Sequence, residues 1–113
     1  MTPREQQVHD ARQIISDGRL LAFFRAVNRM QAHDVFAVKL IGDALAQGET
    51  LDAIFYDGED FGYLLSAEQT SGSTYRIEFG CQAGPDAGDG GEWEMSFAGD
   101  EVLTIRGGAT WIS

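Results

Sequence analysis

The sequence predicts an α+β fold, with two or three N-terminal helices packed on a C-terminal antiparallel β-meander of five or six strands. Three observations predict it. Apolar residues recur with helical spacing in the first part of the chain and with a period of two in the rest. Of the 14 glycines, three lie in residues 1–50 and eleven in residues 51–113. Charge divides at the same place. Residues 1–50 carry six acids and six bases, whereas residues 51–113 carry twelve acids against Arg76 and Arg106, so the whole net charge of −10 falls in the second half. A chain of 113 residues and 12.3 kDa has the length of one domain, 1–113, built from a helical segment 1–49 and an acidic β segment 50–113.

The first helix is announced by "TPRE". Thr2 is a capping residue, Pro3 fits the first helical position and Glu5 completes a capping box. Val8, Ala11 and Ile15 then share one face, and Gly18 is the expected stop. In "RLLAFFRAVNRM", Leu20, Phe23, Phe24 and Val27 follow the i, i+3, i+4, i+7 spacing of an amphipathic helix, with Arg25 and Arg29 on its wetter side. A third helix is expected from Asp34, an N-cap, through "VFAVKLIGDALAQ" to Gly48 as its C-terminal stop. The β-branched run "VFAVKLI", which spans residues 35–41, also suits a buried strand, and periodicity leaves that choice open.

Beyond residue 50 the pattern alternates. In "TYRIEFGC", Tyr75, Ile77, Phe79 and Cys81 share one face and Thr74, Arg76, Glu78 and Gly80 the other; in "EWEMSFA", Trp93, Met95 and Phe97 oppose Glu92, Glu94 and Ser96. Further strands are expected in "DAIFYD", "FGYLLSAE", "EVLTIR" and "ATWIS", separated by "DG", "SGS", "GD" and "GG" turn signals. In the last hairpin, a two-residue Gly99-Asp100 turn puts Leu103 and Ile105 on the glutamate face, and a three-residue loop returns both to the Trp93 face. The three-residue loop is favoured because it buries them. The expected core is Ile15, Leu20, Phe23, Val27, Leu40, Ile77, Phe79, Trp93, Met95 and Phe97.

The stretch "AGPDAGDGGEWE", residues 83–94, packs glycine and carboxylate together and invites a calcium reading. An EF-hand loop needs oxygen ligands at its third and fifth positions, and counting from Asp86 these are Gly88 and Gly90. The glycine-rich calcium roll needs several repeats and this stretch occurs once. A long hairpin connection between two strands is the expected structure. One cysteine and two separated histidines, His9 and His33, do not supply a zinc site, so no metal and no cofactor is expected. His33-Asp34 falls at a helix start, where sequence neighbours do not converge on one target, and no catalytic residue is assigned. Cys81 on the apolar face reads as a small buried hydrophobe.

Charge narrows the function classes. A single lysine and scattered arginines cannot neutralise a phosphate backbone, so direct nucleic-acid binding is not expected. No run is long and apolar enough to span a bilayer, the N-terminal "MTPREQQVHD" is not a signal peptide, and one cysteine excludes an internal disulfide, which together point to the cytoplasm. An acidic surface suits a basic protein partner. The expectation is a small, non-enzymatic binding or inhibitor protein that blocks a basic protein surface, as toxin-immunity proteins and nucleic-acid mimics do. Its partner-binding residues are Glu78, Glu92 and Glu94 on the wet sheet face, with Asp57, Glu59, Asp60, Asp86 and Asp89 in acidic loops.

In length and in its terminal run of strands the chain also resembles the cone-shaped α+β folds of nuclear-transport-factor-like domains, which host enzymes and binding proteins. The alternative expectation is a small-molecule-binding or enzymatic protein of that outline, with a pocket between helices and a curved sheet lined by this chain's own aromatic residues Phe23, Phe24, Tyr63, Tyr75, Phe79, Trp93 and Trp111. No motif of that family is matched, so no site residue transfers.

Overall fold

The computed structural model describes residues 2–29, 36–56, 62–84 and 87–112. Four helices come first: α1 (Pro3–Ile14), α2 (Asp17–Arg29), α3 (Phe36–Ala46) and α4 (Leu51–Tyr56). Four strands follow: β1 (Gly62–Gln69), β2 (Thr74–Gly84), β3 (Ala87–Ala98) and β4 (Glu101–Ile112). They form one antiparallel sheet in chain order, β1-β2-β3-β4. The α+β class and the order of helices before strands are as the sequence predicts, while the numbers of elements among the described residues differ. No described helix is long and apolar enough to cross a membrane.

Local chemistry explains each helix. Thr2 and Glu5 exchange hydrogen bonds in a reciprocal capping box, each at 3.1 Å, with Pro3 at the first helical position. Gly18 does not stop α1: Ile15 turns extended, and Ser16 caps α2 by accepting from the Arg19 amide through its hydroxyl, so Gly18 lies inside the first turn of α2. A Cβ at Gly18 would lie 2.7 Å from the Asp100 carboxylate, which places the first turn of α2 beside the β3–β4 turn. "FAVKLI" is helical from Phe36, and Asp34 and His33 lie outside the described residues. Gly48 closes α3 at φ +90°, its amide donating to Leu45 O and that of Glu49 to Ala44 O, the paired bonds of a Schellman motif.

"DAIFYD" is the clearest correction, since its first five residues are helix and not strand. Thr50 accepts from the Ala53 amide at 3.1 Å, and Leu51, Ile54 and Phe55 are buried at helical spacing. Short apolar runs fit either period, and the cap decides. Helix therefore continues to Tyr56, past the expected boundary near residue 50.

The glycine-rich stretch is a second correction. Residues 83–94 are not a long connection, because β2 runs to Gly84 and β3 begins at Ala87. Gly91 faces inward beneath the Trp93 indole, where a Cβ would lie 3.0 Å from the ring, so this glycine makes room for a core aromatic two residues on. "EVLTIR" and "ATWIS" are one strand, because Gly107-Gly108 carries the chain on without a turn. Its ladder to β3 shifts register twice, between Gly91 and Trp93 and between Ser96 and Phe97, each time with one extra residue on β4. The hairpin turn has two residues, Gly99 at φ +60° and Asp100, not three. The bulge at Leu103 then restores the face: Val102 and Ile105 pack against the core while Leu103 is 64% exposed.

All four helices pack on one face of the sheet. The buried cluster joins Val8, Ala11 and Ile15 of the first helical segment to Leu20, Phe23, Phe24 and Val27, and these to Leu65, Ile77, Phe79, Trp93, Met95 and Phe97 on the strands. Every expected core residue is buried except Leu40, which is partly covered. Arg19 pins the second helix to the last hairpin, donating to Gly99 O at 2.8 Å and the Tyr75 hydroxyl at 2.9 Å while its guanidinium lies over the Tyr75 and Phe97 rings.

Candidate functional site

The outer face of the sheet is the candidate site, because alternation sends its carboxylates away from the helices. Antiparallel register aligns them in two rows. In the first, Glu68 of β1, Arg76 of β2, Glu94 of β3 and Arg106 of β4 stand opposite one another in turn. Signs alternate across all four strands, with Arg76 3.7 Å from Glu68 and Arg106 3.1 Å from Glu94. The second row is Ser66, Glu78 and Glu92. Glu78 and Glu92 are directly opposed like charges, and among the described residues neither has an ion pair or a side-chain hydrogen bond. Ser66, Glu68, Arg76, Glu78 and Glu92 line a shallow depression there.

Of the residues expected to meet a partner, the fold brings Glu78, Glu92 and Glu94 together, each half-buried on this face. Asp89 does not join them. It sits in β3, 6% exposed, on the inner face with Gly91 and Trp93, and accepts a hydrogen bond from the Cys81 thiol at 3.5 Å. Running the Trp93–Met95–Phe97 period backward reaches Asp89, so the signal was present, hidden by the turn-like composition around it. Asp57, Glu59, Asp60 and Asp86 lie outside the described residues. The strand residues that flank them are placed: Gly62 pairs with Gln82, and Gly84 with Ala87, at one end of the sheet. Glu68 and Arg106 belong to the site without having been singled out, although alternation within "FGYLLSAE" and "EVLTIR" marks both.

Two other clusters carry titratable groups. Across the inner face, Tyr63, Cys81 and Asp89 are successive cross-strand neighbours. Burial, and then the Asp89 hydrogen bond, push the Cys81 thiol up; burial, and then Cys81, push the Tyr63 phenol up to about 12. Both hold their protons at neutral pH, which removes thiolate nucleophilicity. At the helical end, Arg12 donates to both Asp17 oxygens at 3.0 and 2.8 Å and to Asp52 at 2.6 Å. This clasp joins three helices, its guanidinium is already neutralised, and His9 beside it is exposed.

The aromatic residues that a pocket would use are buried against one another. Phe23 meets Phe24 and Trp93, Phe24 meets Phe79, and Tyr63 stacks on Phe79. The Trp111 side chain lies outside the described residues.

The chain matches no protein-family model, no curated protein and no solved structure. Its functional reading therefore rests on the site itself.

Proposed function

We propose that this protein works by binding, with the outer sheet face around Glu78 and Glu92 set against a basic surface of another protein. The observation that carries the reading is the contrast between the two rows. Glu68, Arg76, Glu94 and Arg106 balance one another, whereas Glu78 and Glu92 face each other without an ion pair among the described residues, the Arg76 that lines the same depression being paired with Glu68. Like charges directly opposite on neighbouring strands cost about 0.2 to 1 kcal/mol. A guanidinium or ammonium from a partner reverses that cost by standing between the two carboxylates, with Ser66 at hand as a further acceptor. Cytoplasmic residence and the inhibitor or immunity role belong to this same proposal, and they rest on the placement of charge and on the single buried cysteine. Aromatic packing through Phe23, Phe24, Phe79 and Tyr63 gives a small-molecule pocket less support than the carboxylate face gives a protein partner.

The test compares Glu78→Gln/Glu92→Gln with Glu49→Gln, an exposed carboxylate beyond α3 and off the sheet face, as a surface control, each immobilised and offered cell lysate at moderate and at high salt. The wild type and the control should retain the same basic protein in a salt-sensitive way, and the double variant should lose it while staying folded. Retention by the double variant, or turnover of a small substrate by the pure protein, would remove the proposal.

A further inference from the structure

We draw no further inference here: the strongest candidate, the buried Tyr63–Cys81–Asp89 row across β1, β2 and β3 on the inner face near one end of the sheet, rests on a lone cysteine beside a carboxylate with no second feature that points to a ligand.

Discussion

Phe79 sits at the centre of the aromatic core, edge-on to Phe24 at 4.9 Å and stacked on Tyr63 at 5.5 Å, with none of its surface exposed. Truncating it leaves a void between a helix and two strands that rigid neighbours cannot fill. Phe79→Ala should cost about 3 to 5 kcal/mol in urea unfolding, and a loss under 1 kcal/mol would mean that the ring is not packed as described. Asp17 gives a pH test. The guanidinium of Arg12 holds its carboxyl below the ordinary value of 3.8. A depressed folded-state pKa contributes stability that is complete above the unfolded value and disappears as pH falls through the folded one, so the contribution fades below about pH 4. The Asp17 side chain is 54% exposed, so solvent screening keeps the effect small. Asp17→Asn should lower Tm at neutral pH, and the two melting curves should converge in acid. A constant gap from pH 7 to pH 3 would show that the pair contributes nothing through titration.

Elements were legible where two signals agreed and misread where one stood alone. "TPRE" combines a cap, a proline and a glutamate, and α1 begins there; the heptad-like Leu20–Phe23–Phe24–Val27 face and the alternation around Ile77 and Trp93 likewise place their cores correctly. "DAIFYD" offered only apolar character, which suits both periods, and the Thr50 cap that settles it lies two residues before the run expected to be strand. Thr50→Ala should therefore destabilise the protein by about 1 kcal/mol, and an unchanged melt would mean that the short helix does not depend on its cap. Glycine was the other misleading sign. Gly88, Gly90 and Gly91 looked like a loop because composition cannot distinguish a turn from a strand whose backbone passes beneath an indole. The same limit moved Asp89 from the expected surface to the interior, while Glu78, Glu92 and Glu94 were recoverable from alternation alone. On β4, Leu103 is the extra residue of a bulge, so its deletion leaves Val102 and Ile105 on the inner face. Deleting Leu103 should leave a cooperative melt within a few degrees of the wild type. Deleting Ser96 from β3 turns Phe97 outward and should abolish that transition. Equal tolerance of both deletions would contradict the assigned register.

For the molecule as a whole, residues 57–113, which hold the four strands, carry eleven acids against two arginines, a net −9, while residues 1–56 carry seven acids against six bases, a net −1. Repulsion on that scale is screened by salt, and attraction within the Glu68–Arg76–Glu94–Arg106 row is screened by the same salt, so the two rows respond in opposite directions. Glu78 and Glu92 give up a mutual repulsion of about 0.2 to 1 kcal/mol, which is about 1 to 5 °C in Tm for a domain of this size. Glu78→Gln/Glu92→Gln should then melt above the wild type at about 20 mM NaCl, with the gap closing toward about 500 mM as ions screen the pair it removed. Glu94→Gln loses the ion pair to Arg106 and should melt at or below the wild type at low salt, that gap also closing as salt rises. The contrast between these variants isolates arrangement from charge count, because each makes the protein less acidic. If both raised Tm alike at low salt, general repulsion across the acidic half would account for the result. A gain confined to the double variant instead identifies Glu78 and Glu92 as carboxylates held together at a cost to the free protein, the condition under which a cationic partner has something to relieve.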